Sequence, residues 1–351
     1  VKVASIVRAM QRRRAEGGHL AYRLIHTGQH YDARMSGDFF AQLGIPQPDV
    51  NLLAGSGTQA EQTAAIMTGY EKLLMQVPGR LCLVVGDVTS TMACAIAAQK
   101  LKVPVAHVEA GIRSGDWTMP EEINRRVTDA ITNWFFTTSA GAGDNLRHAG
   151  IEDERIFFVG NTMIDTLLAN LDRLRPPPFW SELGLSPGSY FVMTLHRPSN
   201  VDEAACLERL LKSIGACARG LPVIFPVHPR TARTLRTISG LPGAICFVEP
   251  QPYLEFNHLV RHARAVITDS GGVSEEATVM GVPCMTLRDA TERPETVSVG
   301  TNEIVGTDAA ALRDALRRLF AGQWKRGEIP DKWDGRTGER IVTALEELLP
   351  A

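Results

Sequence analysis

The side chains best suited to chemistry in this 351-residue chain fall in short polar clusters, each directly after an apolar run. Asp269-Ser270-Gly271-Gly272 ends one such run and opens a helical pattern. Glycines admit backbone N–H groups close to a ligand, and a helix N-terminus favours anions, so the cluster suits a diphosphate. It also suits a plain N-cap and tight turn. Glu276, one turn further on, can accept from ribose hydroxyls or simply complement the helix dipole. Gly86-Asp87-Val88-Thr89-Ser90-Thr91 repeats the strand-to-helix form, with Asp87 either a reactive carboxylate or the helix cap.

Glu109 stands where the run before His107-Val108-Glu109 leaves its strand. A carboxylate there is costly to desolvate unless paired, which makes it an acid/base candidate or the partner of Arg113 or Arg125. Pro120-Glu121-Glu122 reads as a helix start, where dipole compensation alone would explain both acids. His196-Arg197 follows another strand. His196 can contact a leaving phosphate, relay a proton or bond to backbone, and Arg197 can bind an anion. Arg293 suits phosphate or sugar, with an Arg–Glu pair as the plainer role. His258 and His262 have the i, i+4 spacing of a metal pair but no third ligand, so no metal is expected.

Strands and helices must hold these groups in place. Ten apolar runs alternate with helical patterns: 20–28, 81–87, 103–111, 134–139, 156–160, 190–196, 223–228, 244–249, 265–269 and 283–287. Near-continuous apolar strands separated by helices indicate parallel sheets covered on both faces. Between the two sets lies 172–188, with Pro176, Pro177, Pro178 and Pro187. The chain therefore reads as α/β with two doubly wound Rossmann-like domains, 1–165 and 166–351, the last helix able to return to the first domain. Ligands bind outside the carboxyl ends of such strands, which puts the polar clusters in an interdomain active-site cleft.

Hydrophobic residues make up 44% of the chain, charged residues 22%, and the formal charge is −2. That balance gives no basic surface for nucleic acid or an anionic membrane. No apolar stretch reaches spanning length and no secretory signal is visible. The six cysteines form no CxxC pair, so a reducing, cytoplasmic setting is expected.

The order of the clusters carries more than any one of them. GDVTST (86–91), HVEAGIRSGD (107–116), MPEEINR (119–125), TLHRPSN (194–200), VEPQPYLEF (248–256), TDSGGVSEEA (268–277) and RDATERPE (288–295) resemble the non-hydrolysing UDP-N-acetylglucosamine 2-epimerase family, from Val1 to about Asp308. The resemblance implies a glycosyltransferase-B-type fold, a homodimer, no cofactor, and interconversion of UDP-GlcNAc and UDP-ManNAc. In that family the C2 proton leaves as UDP departs from C1, and UDP then adds back to the bound 2-acetamidoglucal. By motif, Asp87, Glu109 and Glu121 match the acid/base carboxylates, and His196 the histidine near the leaving UDP. Ser270, Gly271 and Gly272 match the phosphate turn, Glu276 the ribose contact, Gln251 and Phe256 the uracil pocket, and Arg293 and Lys2 substrate-binding positions. Gln29, His30 and Arg197 match part of an activating second site, although Met67-Thr68-Gly69-Tyr70 lacks the arginine expected there. The family opens with a strand and a loop that do not precede Lys2 here, so residues are expected to be missing from the front.

Competing expectations are a hydrolysing epimerase that releases UDP and ManNAc, and a 2,3-diacetamido UDP-sugar as substrate. Beyond the epimerases stand a glycosyltransferase of the same fold and a non-catalytic UDP-sugar-binding protein.

Overall fold

In the computed structural model, residues 1–28 and 40–351 are described, apart from the side chains at 229 and 230. The chain divides into two compact units, 1–169 with 331–351, and 170–330. It thus changes unit twice, and the second crossing returns the helix Thr337–Leu348 to the first unit.

Among the described residues the first unit holds two parallel sheets. One pairs β1 (Ile25–His26) with β2 (Val50–Asn51). The other runs β3 (Cys82–Val85), β4 (Val105–Val108), β5 (Trp134–Thr137) and β6 (Ile156–Phe158), in that spatial order. Along β4 the side chains alternate between two cores. Val105 joins Cys82, Val84, Ile66 and Ala98, whereas Ala106 and Val108 join Ile6, Phe136, Ile341 and Leu345. Both faces of the sheet are therefore covered, and each strand reads as almost wholly apolar.

Several contacts tie down the returning segment. Trp333 is buried and its indole N–H donates to the Thr138 carbonyl at 3.1 Å. The Gly338 N–H donates to Asp165 at 2.7 Å. Gly160 has φ +104, and a Cβ there would overlap the Lys332 carbonyl, so only glycine fits.

The second unit is built on one parallel sheet in the order β12–β11–β10–β7–β8–β9. Its strands are β7 (Phe191–Thr194), β8 (Val223–Pro226), β9 (Ile245–Val248), β10 (Ala265–Thr268), β11 (Cys284–Thr286) and β12 (Asn302–Ile304). Phe191 and Met193 point into one core with Leu207, Leu211 and Leu316, and Tyr190 and Val192 into the other with Leu259 and Val266.

All ten apolar runs contain a strand, although the first shrinks to Ile25–His26. The sequence does not announce β2 or β12. Asn302 in β12 is buried, and its amide oxygen accepts from Thr286 at 2.8 Å, so a polar residue occupies a core strand. No described helix is long and apolar enough to cross a membrane.

Candidate active site

In the first unit the chemistry gathers where β3 and β4 end. Beyond β3, Gly86 turns with φ +79 and delivers Asp87. The helix Thr89–Lys100 is capped at Val88 with no side-chain bond, so Asp87 does not serve as the cap. Its Oδ2 instead accepts from Arg125 Nε at 3.0 Å and Nη2 at 2.8 Å, while Asn124 donates to its backbone carbonyl at 2.9 Å. Beyond β4, Glu109 has φ +69, a left-handed conformation that costs a non-glycine residue about 1–2 kcal/mol. Its N–H is held by the Phe136 carbonyl at 3.0 Å.

Glu109 is buried, and its carboxylate meets Lys2 Nζ at 2.6 Å. Of the arginines nearby in sequence, Arg113 pairs with Asp129 at 2.6 Å, and Arg125 with Asp87 at 2.8 Å and Glu122 at 2.9 Å. A Cβ on Gly86 would lie 3.2 Å from the same Lys2 Nζ. One ammonium therefore touches both strand ends, and Lys2, expected to meet substrate, bridges them.

The two glutamates at the start of the helix Pro120–Ala130 differ sharply. Glu122 is fully buried and accepts from Ser114 N at 2.9 Å, Arg125 Nη1 at 2.9 Å and Arg126 Nε at 2.9 Å. Burial pushes its carboxyl up, but the Ser114 N–H and the two guanidiniums hold it below the usual range. Glu121 is half-buried and makes no hydrogen bond or ion pair among the described residues.

Behind these groups lies a pair that sequence reasoning missed. His107 Nδ1 is 2.8 Å from Asp129 Oδ1, and its Nε2 is 2.8 Å from the Gly86 carbonyl. Asp129 Oδ2 accepts from Gly111 N at 3.1 Å and Arg113 Nη1 at 2.6 Å. Asp129 is buried, which raises its pKa, yet His107 and Arg113 bring it below the ordinary value. The pair ties Gly86, beside Asp87, to Gly111, two residues past Glu109. Gly111 has φ +77, and a Cβ there would overlap the Ala142 carbonyl.

In the second unit the matching ends are those of β7 and β10, which run side by side with Thr194 opposite Thr268. They set His196 and Arg197 beside Asp269 and Ser270. Asp269 is fully buried, and its Oδ1 lies 2.9 Å from His196 Nδ1. Ser270 precedes the helix Gly271–Val279 without a side-chain cap bond. A Cβ on Gly271 would find only ordinary contact, 3.9 Å from Arg293, so packing alone does not demand glycine there.

Glu276 is buried within this helix, and burial pushes its carboxyl up to about 7 against the hydrogen bonds of Tyr253 and Asn257. Those two partners sit on the helix Tyr253–His262, which also carries half-buried Phe256 and follows Gln251. Gln251 Nε2 donates to the Glu249 carbonyl at 2.7 Å. Arg293 Nε forms a close ion pair with buried Glu275, the plainer role left open for it. Beside it, burial drives Glu292 upward, but Arg288, at 2.6 and 2.8 Å, brings it down to about 2. Arg197 Nη2 reaches Glu292 at 3.4 Å.

Gln29 and His30 lie outside the described residues. His258 and His262 pack ring to ring at 4.5 Å, His258 against Trp180 at 4.8 Å. His107, Arg125 and Asp269 stand within quoted motifs, and Asp129 in none. The bonds that join His107 to Gly86, Arg113 to Asp129, Arg125 to Asp87 and His196 to Asp269 span 16 to 73 residues, and no local pattern marks them.

A family model described as UDP-N-acetylglucosamine 2-epimerase matches residues 12–346. The chain is 40% identical over 358 residues to a UDP-N-acetylglucosamine 2-epimerase of Methanocaldococcus jannaschii, covering 98% of this chain and 95% of that protein. It is also 40% identical over 332 residues to a UDP-2,3-diacetamido-2,3-dideoxy-D-glucuronate 2-epimerase of Pseudomonas aeruginosa, covering 93% and 91%. The crystal structure of the Methanocaldococcus jannaschii UDP-GlcNAc 2-epimerase in complex with UDP-GlcNAc and UDP superposes with a TM-score of 0.87 at 40% identity, covering 99% and 96%.

Proposed function

Because this chain belongs to the UDP-N-acetylglucosamine 2-epimerase family, we propose that the strand ends of its first unit serve the proton chemistry of an epimerisation and those of its second unit hold the nucleotide. In this reading the protein is a non-hydrolysing UDP-N-acetylglucosamine 2-epimerase, an isomerase with the glycosyltransferase-B-type fold of its relatives. The observation that carries the division of labour is the cluster of Asp87, Glu109 and Lys2 at the ends of β3 and β4.

A C2–H bond is a weak acid, so its removal needs a placed base and strong stabilisation of what leaves. In this reading the first unit supplies Asp87, Glu109 and Glu121 as proton acceptor and donors at C2. As C2 loses its proton, the C2–H pair becomes the C1–C2 double bond and the C1–O pair leaves with UDP. Re-addition of UDP with protonation on the opposite face inverts C2. The second unit holds the nucleotide. The uncapped N–H groups after Ser270, with Gly271 and Gly272, take the diphosphate. Glu276 takes the ribose, Gln251 and Phe256 the uracil, and Arg293 holds this turn through Glu275. His196 meets the departing phosphate. The free thiols Cys82, Cys94, Cys206, Cys217, Cys246 and Cys284 suit a reducing cytoplasm, and the working form in this reading is a homodimer, testable by sedimentation.

Incubation with UDP-GlcNAc in heavy water tests the reading. Deuterium should enter C2 of both UDP-GlcNAc and UDP-ManNAc without accumulation of UDP. Bound but unlabelled substrate would sink the epimerase reading, and UDP rising with ManNAc would make the enzyme a hydrolase. Running UDP-2,3-diacetamido-2,3-dideoxy-glucuronate beside it tests the sugar, since that is the substrate class in the name of the Pseudomonas relative.

A further inference from the structure

His196 is half-exposed at the end of β7, and only its Nδ1 is turned to the protein interior, towards Asp269 at 2.9 Å. The carboxylate of Asp269 is ringed by donors. It accepts from the His196 N–H at 3.1 Å, the Arg197 N–H at 2.9 Å and the Asn200 amide at 3.0 Å. Although burial opposes ionisation, His196 and these donors keep its carboxyl below the ordinary value. A carboxylate only accepts, so the ring nitrogen facing it must carry a hydrogen. That leaves Nε2 as the one ring atom available to a ligand.

We propose that Asp269 is a positioning residue that locks His196 as the Nδ1–H tautomer, so that Nε2 alone exchanges a proton with the diphosphate. The inference rests on His196 meeting the departing UDP. When the C1–O bond breaks, its electron pair goes to the phosphate oxygen, and the imidazolium Nε2–H passes its proton to that oxygen. The ring is left neutral with Nδ1–H still bonded to Asp269. On re-addition the oxygen returns the proton to Nε2 as its electron pair forms the C1–O bond. No tautomer shift is needed in either direction, and the ring turns over without rotating. Sequence alone shows Asp269 only as the first residue of a phosphate turn.

The first arm of the test is ¹⁵N NMR of the histidine-labelled wild-type enzyme, with the His196 signal identified by its loss in His196→Gln. Where the ring is neutral, Nδ1 should carry the hydrogen and Nε2 the lone pair. The opposite assignment overturns the proposal without reference to turnover, so it is separable from failure of the epimerase reading. The second arm is Asp269→Asn, whose amide can donate to Nδ1 and force the Nε2–H tautomer. By analogy with other Asp–His pairs, kcat should fall on the order of 10²–10⁴-fold. UDP affinity should stay within about threefold, as expected when only a transition-state interaction is lost. Unchanged kcat, or UDP binding lost in step with kcat, would assign Asp269 to loop packing instead and overturn the proposal.

Discussion

In the first unit His107 is closed in on both sides, by Asp129 at 2.8 Å and by the Gly86 carbonyl at 2.8 Å. In the second, His196 has an aspartate at one nitrogen, and its side chain is 44% exposed. His107 lies in β4 and His196 just beyond β7, both aspartates are buried, and both carboxyls are held below their ordinary values. The number of ring nitrogens left over separates them. His107 has no nitrogen to offer a substrate and works as a brace between the loops that carry Asp87 and Glu109. His196 keeps one nitrogen and can act.

The largest effects should come from the three carboxylates of the first unit. Asp87→Asn, Glu109→Gln and Glu121→Gln should each lower kcat by on the order of 10²–10⁴-fold. UDP affinity measured by calorimetry should hardly change if, as proposed, the second unit takes the nucleotide. A variant that lost UDP binding together with turnover would break the division between the units.

Stability should show the two pairs in reverse. Asp129→Ala strands His107 and Arg113 in the interior and should cost about 3–5 kcal/mol in denaturant unfolding. His196→Ala leaves Asp269 its backbone donors and Asn200, and should cost less than about 1 kcal/mol. Equal losses would mean that His196 is as structural as His107.

A smaller effect follows from Glu276. Its pKa rises from 4.5 in the unfolded chain to about 7 in the folded one. The native state therefore binds the proton more tightly between those values. Its stabilising contribution is complete below about pH 4.5 and is lost as pH rises through about 7. UDP binding should pull the other way, because ribose hydroxyls select the ionised carboxylate. Calorimetry near pH 6 in buffers of different ionisation enthalpy should report proton release on binding, and Glu276→Gln should abolish it. Binding without proton release in the wild type would remove Glu276 from the ribose.

Much of the fold was legible because buried parallel strands leave a direct trace, as in Cys82–Val85 or Ala265–Thr268. β12 escaped because Asn302 earns its buried place through Thr286 and Thr296, and hydrogen bonding of that kind leaves no apolar signature. The candidate site was legible as types and order of residues. Its pairing was not. Asp87 read equally as a cap and as a reactive carboxylate and meets Arg125, and Glu109, with two arginines nearby in sequence, meets Lys2, 107 residues away.

By itself, then, the sequence determined which residues end the strands, because strand register and the turn after it are local and follow from apolar runs and glycines. It also determined the family, through the order of its motifs. Only the tertiary structure decided which ionisable groups are spent on one another. Ion pairs and tautomers depend on distances of 2.6 to 3.1 Å between segments far apart in the chain. Those distances exist only once the sheets have brought the strand ends side by side.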